Sequence, residues 1–203
     1  MEKKLFWDRV AWAYDIFGVL INKKANLEIR KIVAGKITGS DQVLECACGT
    51  GIVSEAIAPK CQSLVATDIA EKMLNKARKK CAKYKQVEFK IGDIMRIEAK
   101  DNCFDKVVAA NVIHLLPEPL LAIKEMYRVC KKGGKIIIPT YINEKERGDV
   151  SLLSKLFERA GAGFQRQFTF QSYQNFFQDA GYKDVEYTII RGRVPCAVAT
   201  IQK

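Results

Sequence analysis

The stretch Val43-Leu44-Glu45-Cys46-Ala47-Cys48-Gly49-Thr50-Gly51 is an apolar run that ends in an acid and continues into a glycine turn. Residues 51–58 have a helical pattern, so the turn lies where a first strand is followed by a first helix and where N–H groups are free. A second apolar run, Leu64-Val65-Ala66-Thr67, ends in a second acid, Asp68. Strand, glycine turn, helix, strand and terminal acid together predict a site for a ribose-bearing cofactor.

The size and charge of the chain allow several partners. Its 203 residues, 48% of them apolar, suit a single domain, 1–203, with a sizeable core. Thirty-four Lys and Arg against 23 Asp and Glu give a formal net charge of +11. This charge suits an anionic partner such as RNA, a phosphorylated metabolite or a membrane surface, and it does not choose among them.

The cysteines and the apolar runs indicate where the protein resides. Seven cysteines, an odd number spread along the chain, are typical of reduced and mostly buried thiols. Cys46 and Cys48 have no second cysteine or histidine pair at zinc spacing, so no metal site is expected. Asp8, Arg9 and Asp15 interrupt any signal-peptide core, and no apolar run is long enough to span a bilayer. We therefore expect a soluble, cytoplasmic protein.

The middle of the chain alternates between strands and helices. Helical spacing predicts helices near 51–58, 71–84 and 118–130, and apolar runs predict strands near 42–47, 63–68, 87–91, 104–111 and 135–139. Near-continuous apolar strands separated by helices mean a parallel sheet that is covered on both faces, which is the α/β class.

The two ends of the chain have different patterns. Two amphipathic helices are predicted in an N-terminal cap, 1–36, and a polar, glycine-spotted insertion covers 143–173. A short helix is predicted at 172–180. Strands at 185–190 and 194–201 around a short loop predict a C-terminal antiparallel β-hairpin.

The glycine turn does not match the dinucleotide fingerprint. That fingerprint needs glycines where this chain has Ala47, Gly49 and Ile52, and no Gly-Lys-Ser/Thr follows to make a phosphate loop. The remaining pattern, acid-x-Ala-x-Gly-x-Gly, resembles the first motif of the seven-stranded class I S-adenosylmethionine-dependent methyltransferases, usually an acid followed by Gly-x-Gly-x-Gly. The resemblance implies a three-layer αβα Rossmann-like fold, a mostly parallel seven-stranded sheet, and S-adenosylmethionine as the cofactor.

Further segments carry the same resemblance in order. Asp68-Ile69-Ala70-Glu71-Lys72-Met73-Leu74 resembles the family's segment whose acid binds both ribose hydroxyls, and Gly92-Asp93-Ile94 resembles the adenine segment. The loop from Asn111 to Leu116 resembles the one that passes under the methionine part. Ala47 replaces the family's first glycine, so we expect a lower cofactor affinity or a slightly shifted turn. The implied cofactor-binding residues are Glu45, Ala47, Gly49, Gly51, Asp68, Ile69, Met73, Asp93, Ile94 and Asn111.

Two residues are candidates for catalysis. Residues 7–15 resemble the N-terminal helix of the branch that contains the quinone-biosynthesis C-methyltransferases, and Tyr14 in this segment either closes over cofactor or substrate or is an interfacial aromatic. His114, the single histidine, follows the fourth strand and is either a general base or a structural residue. We expect a substrate pocket that is roofed by the N-terminal helices with Tyr14 and by the 143–173 insertion with Tyr141 and Tyr173, and floored near Asn111 and His114.

The primary hypothesis is an enzyme that moves a methyl group from S-adenosylmethionine to a small-molecule acceptor by direct in-line transfer. Two alternatives stay open. An RNA methyltransferase is suggested by the net charge of +11, although the basic run from Lys72 to Lys85 fits the solvated face of an amphipathic helix better. A non-catalytic S-adenosylmethionine-binding protein is suggested by Ala47.

Overall fold

The apolar runs of the sequence form one seven-stranded sheet in the order β3-β2-β1-β4-β5-β7-β6. The computed structural model describes residues 23–143, 166–192 and 194–203. Its strands are β1 (Gln42–Cys46), β2 (Ser63–Asp68), β3 (Val87–Ile91), β4 (Phe104–Val108), β5 (Cys130–Tyr141), β6 (Val185–Ile190) and β7 (Cys196–Gln202).

The direction of the strands confirms the predicted mostly parallel sheet. The pairs β1–β2, β2–β3, β1–β4 and β4–β5 are parallel, so their carboxyl ends meet at one edge. β7 runs antiparallel to both β5 and β6, which confirms the predicted C-terminal hairpin. The glycine turn after β1 and the acid at the end of β2 therefore lie side by side at the same edge.

Helices cover both faces of the sheet, as predicted. They are α1 (Lys23–Gly35), α2 (Ser54–Ile57), α3 (Glu71–Lys80), α4 (Pro119–Val129) and α5 (Phe170–Asp179), with short 3-10 helices at Ala58–Lys60 and Ile113–Leu115. Alternate side chains of the strands point to opposite faces. Val43 therefore belongs to the apolar cluster that contains Ile29 of α1 and Leu74 of α3. Leu44 belongs to the cluster that contains Ile123 of α4.

Two element boundaries differ from the predicted ones because of tertiary contacts. β5 extends from Cys130 to Tyr141, beyond the predicted 135–139, because Cys130 pairs with Phe104 of β4 and because β7 pairs with the strand from Lys135 to Tyr141. β4 ends at Val108, before the predicted residue 111, and Asn111 then has a left-handed backbone with φ of 54°. The chain thus turns away from the sheet where the strand pattern continued.

The predicted terminal segments are only partly within the described residues. α1 is the second of the two predicted helices of the 1–36 cap, and the first, with Tyr14, lies outside the described residues. Most of the predicted 143–173 insertion also lies outside the described residues. The prediction that Tyr173 roofs a substrate pocket is wrong: its side chain is fully buried in α5, and its hydroxyl donates to the Ile138 carbonyl at 2.7 Å. No helix among the described residues has the length and apolar character of a membrane span.

Candidate cofactor site

The turn after β1 has a left-handed backbone at three alternate positions. Ala47, Gly49 and Gly51 have φ of 53°, 55° and 78°. A Cβ on Gly51 would lie 2.9 Å from the Cβ of Ala77 in α3, so glycine there allows the turn to pack against that helix. Ala47 has no such freedom, and its left-handed conformation costs about 1 kcal/mol. The turn keeps the glycine-type conformation although its first glycine is missing.

Asp68 connects this turn to the end of β2. Its Oδ2 accepts the N–H of Gly49 at 2.8 Å, its Oδ1 accepts the N–H of Ala70 at 2.9 Å, and 6% of the residue is exposed. The main-chain carbonyl of Asp68 accepts the N–H of Gly92 at 3.1 Å. Each carboxylate oxygen has a second lone pair, so Asp68 can also accept hydroxyl groups of a ligand at this edge of the sheet.

Glu45 is a buried acid directly below the turn. One per cent of it is exposed, and the hydroxyl of Ser54 donates to its carboxylate. Burial raises the pKa of Glu45 to about 8, and the negative charge of Asp68 adds to the rise. The side chain is therefore mostly protonated at neutral pH and would ionise if a cation came close. The contact of Ser54 with Glu45 was not predicted from the sequence. The signal for it was the position of Ser54, three residues after Gly51 in the first turn of the helix that follows the glycine turn.

The end of β3 places a third acid beside the first two strands. Asp93 is exposed, and its Oδ1 accepts the N–H of Met95 at 2.9 Å in a tight turn. Ile94 is buried, with 5% of the residue exposed. On the neighbouring segment Met73 is buried at 2% exposure and Ile69 is half-buried. These side chains provide apolar surface and a solvent-facing carboxylate at the same edge.

Asn111 follows β4 with an unusual combination of features. Its backbone is left-handed, with φ of 54°, and its N–H donates to the Pro139 carbonyl at 2.8 Å. Its side-chain Oδ1 is buried and has no hydrogen-bond donor among the described residues. A buried acceptor without a donor is costly, and a bound ligand with an N–H group would relieve this cost.

His114, in the short 3-10 helix after Asn111, is buried, with 4% of the residue exposed. Its Nδ1 is 3.0 Å from the hydroxyl of Thr140, and its ring meets that of Tyr141 edge to face at 6.1 Å. Burial lowers the pKa of His114 to about 4, so the imidazole is neutral at physiological pH. Thr140 was not predicted from the sequence, although its position at the carboxyl end of a parallel strand was a usable signal.

The structure thus brings the predicted cofactor residues to one edge of the sheet, at the ends of β1 to β4. Among the described residues no group of three or more His, Cys, Asp or Glu could hold a metal ion.

The basic run predicted from the sequence lies on α3 and the loop after it, where Lys72, Lys79, Lys83 and Lys85 are exposed. Arg78 in the same run is paired with Glu71 at 2.6 Å.

Comparison with known proteins connects this geometry to a family. A methyltransferase domain model matches residues 44–138, which include the turn, the three acids and Asn111. The demethylmenaquinone methyltransferase of Staphylococcus epidermidis is 26% identical in an alignment that covers 88% of this chain and 84% of that protein. The enzyme of the same name from Staphylococcus aureus is 28% identical, over 75% of this chain and 72% of that protein.

Solved structures share the fold. Phosphoethanolamine N-methyltransferase 2 of Haemonchus contortus, solved with phosphomonomethylethanolamine and S-adenosylhomocysteine, has a TM-score of 0.78 and 17% identity, covering 98% of this chain and 60% of that one. An S-adenosylmethionine-dependent methyltransferase of Thermotoga maritima has a TM-score of 0.71 and 20% identity, covering 98% and 99% of the two chains.

Proposed function

We propose an activity for this chain on the premise that it belongs to the class I S-adenosylmethionine-dependent methyltransferases, the family its turn motif predicted. It transfers the methyl group directly to a nucleophilic atom of a small-molecule acceptor. The observation that carries the proposal is the Asp68 carboxylate, bound to the N–H groups of Gly49 and Ala70 at the sheet edge. A carboxylate there suits a neutral ribose diol and repels a nucleotide phosphate.

The residues of the site fit the successive parts of this cofactor. Asp68 would accept the ribose hydroxyls, Asp93 the adenine amino group, and Ile94 would lie against the adenine ring. At the other end, the ionisable Glu45 would face positive charge, and the Oδ1 of Asn111, which has no donor within the described ranges, would accept an ammonium N–H. When bound, the cofactor supplies a methyl group already activated on a sulfonium, so the protein mainly has to align the acceptor and exclude water.

The acceptor we propose is an uncharged naphthoquinol, the reduced form of the kind of quinone that the demethylmenaquinone methyltransferases are named for. Two observations support this class. The similarity to those enzymes extends over 88% of the chain, well outside the matched domain. The two described side chains that contact the His114 ring, Thr140 and Tyr141, are polar and uncharged. Such side chains can hydrogen-bond a hydroxyl group of an acceptor.

His114 is proposed to position the acceptor. With a pKa near 4, its imidazole takes up a proton too weakly to be an effective base at neutral pH. The contact of its Nδ1 with the Thr140 hydroxyl orients this neutral ring. The role of Tyr14 stays a prediction.

All seven cysteines are free thiols, which supports a reducing, cytoplasmic location.

The test is cofactor binding by an Asp68 pair of variants. Asp68→Ala removes the hydrogen bonds to the N–H groups of Gly49 and Ala70, whereas Asp68→Asn keeps the shape and loses the charge. We expect both to weaken S-adenosylhomocysteine binding in calorimetry by tenfold or more, at least about 1.4 kcal/mol. Asp179→Asn, at an exposed position at the end of α5, is the control and binds as the wild type does. An unchanged affinity of Asp68→Asn would refute the ribose assignment.

The same preparation tests the acceptor. Radiolabelled methyl transfer is measured with a demethylated naphthoquinol and, separately, with RNA, each at low and high salt. Transfer to the naphthoquinol supports the proposal. Transfer to RNA with steeply salt-dependent binding would replace it with the nucleic-acid alternative. Cofactor binding without transfer to either acceptor or a broader panel would support the non-catalytic alternative.

A further inference from the structure

Arg128, near the end of α4, uses all five of its N–H groups on one stretch of chain and one neighbouring acid. Nη1 donates to the carbonyl of Ala99 and to Asp101, and Nη2 donates to the carbonyl of Ile97, each at 2.8 Å. Nε and Nη2 also donate to the two carboxylate oxygens of Glu125 at 2.8 Å. A guanidinium held in this way has one orientation and fixes the main chain around it.

Glu125 completes the arrangement from the other side. Its Oε2 accepts the N–H of Ile97 at 2.9 Å, so Ile97 is bound through both its N–H and its carbonyl group. The Arg128 guanidinium holds the pKa of the Glu125 carboxyl below its usual range. The pair is half-buried, with 31% and 20% of the two side chains exposed, so solvent screens it less than a surface pair.

The held segment is the direct continuation of the proposed adenine turn. Ile97 follows Arg96, whose N–H donates to the Asp93 carbonyl at 3.0 Å, and Ile94 between them is buried in the core on the α4 face. The Asp93 side chain itself is exposed, and its Oδ1 accepts the N–H of Met95 at 2.9 Å. The chain that leaves this turn is held at Ile97 by the pair on α4.

We propose that Arg128 and Glu125 are positioning residues for adenine recognition: they hold the Ile97–Asp101 main chain and thereby set Asp93 and Ile94 against the base, without touching the cofactor. This inference rests on the proposed assignment of Asp93 to the adenine amino group. It predicts that loosening the pair on α4 relaxes the choice of base, whereas a purely structural ion pair would change only the stability of the fold.

The experiment measures a ratio of two dissociation constants. Calorimetry compares S-adenosylhomocysteine with its inosine analogue, in which a carbonyl oxygen replaces the amino group that Asp93 would bind. The wild type should prefer the adenine compound by about tenfold or more, the value of a hydrogen bond to a charged group. The variants are Arg128→Lys, Glu125→Gln and Asp93→Asn. The ratio does not depend on the folded fraction, so partial unfolding of a variant does not imitate the effect.

Lys131→Met is the matched control. Lys131 also places a cation on a carboxylate, bonding both oxygens of Asp105 at 2.9 Å, but Asp105 lies near the start of β4, away from the adenine turn. The proposal expects the preference to fall below about threefold in Arg128→Lys and Glu125→Gln and to survive in Lys131→Met.

The outcomes separate two failures. If Asp93→Asn loses the preference while Arg128→Lys and Glu125→Gln keep it, positioning is refuted and the adenine assignment stands. If Asp93→Asn keeps the wild-type preference, the adenine assignment itself fails and the positioning role fails with it. Loss of the preference in Lys131→Met as well would show general loosening and would also overturn the inference.

Discussion

Replacing Glu45 with glutamine should stabilise the ligand-free protein, and by more as the pH rises. Burial raises the pKa of Glu45 from 4.5 to about 8 in the folded state. Between these values the unfolded chain has lost the proton while the folded chain keeps it. The stability of the wild type therefore falls with pH in this window, by about 1.4 kcal/mol per unit. The contribution of Glu45 is complete below pH 4.5 and lost as the pH passes about 8.

Glutamine has no proton to lose and can keep the contact with Ser54. Between pH 4.5 and pH 7, Glu45 lowers the free energy of unfolding of the wild type by up to about 3 kcal/mol. We therefore expect the free energy of unfolding of Glu45→Gln at pH 7 to exceed that of the wild type by about 1–3 kcal/mol. For a chain of this size that raises the melting temperature by about 2–4 °C per kcal/mol. At pH 5 the two proteins should melt at nearly the same temperature.

The assay is thermal unfolding of both proteins from pH 5 to pH 8 without cofactor. Glu98→Gln, at an exposed position, is the control and should follow the wild-type profile. Parallel profiles for Glu45→Gln and the wild type would refute the reasoning that Glu45 is buried in protonated form.

Cofactor binding by the wild type near pH 7 should in turn release a proton, because the cationic groups of the ligand favour the ionised acid. Calorimetry in buffers of different ionisation enthalpy measures that release.

Two further predictions concern the turn and the thiols. Ala47→Gly should relieve the strain of the left-handed backbone, so the free energy of unfolding should stay unchanged or rise by up to about 1 kcal/mol. Ala70→Gly, at an ordinary φ of −104°, should lower the free energy of unfolding by about 0.5–1 kcal/mol. Chemical denaturation measures both values, and equal losses in the two variants would contradict the strain at Ala47. Of the seven cysteines only Cys103 is not buried, so a thiol reagent should modify one cysteine rapidly in the folded protein and the other six only on unfolding. Peptide mapping that finds another cysteine modified first would contradict this expectation.

The placement of the candidate cofactor residues could be predicted in part because they occupy the ends of parallel strands. Glu45 and Asp68 close apolar runs, Asp93 follows the strand Val87–Ile91, and parallel pairing brings such ends together. The glycine turn itself was predicted from Gly49 and Gly51, because glycine adopts positive φ values at no steric cost. These features depend on local sequence and on one rule of topology.

The contacts that depend on distant residues could not be predicted in the same way. His114 and Thr140 are 26 positions apart, and Ile97 and Glu125 are 28 positions apart. The sequence next to each of these residues gives no sign of its distant partner. Tyr173 was expected in the roof of a pocket as part of the 143–173 insertion, and only the fold shows that its hydroxyl donates to the carbonyl of Ile138. Burial, which moves the pKa values of Glu45 and His114 in opposite directions, is likewise a property of the folded chain.

The position of β7 has a consequence for how the protein folds. β7 comes last in chain order, yet it lies between β5 and β6 and pairs with both along most of its length. Until β7 is in place, β5 is an open edge with unpaired backbone groups, a state prone to association with other chains. Completion of the sheet is thus a late, non-local step. Refolding should show a slow phase tied to this hairpin, and mutations that weaken β7 should increase aggregation during refolding more than they reduce equilibrium stability.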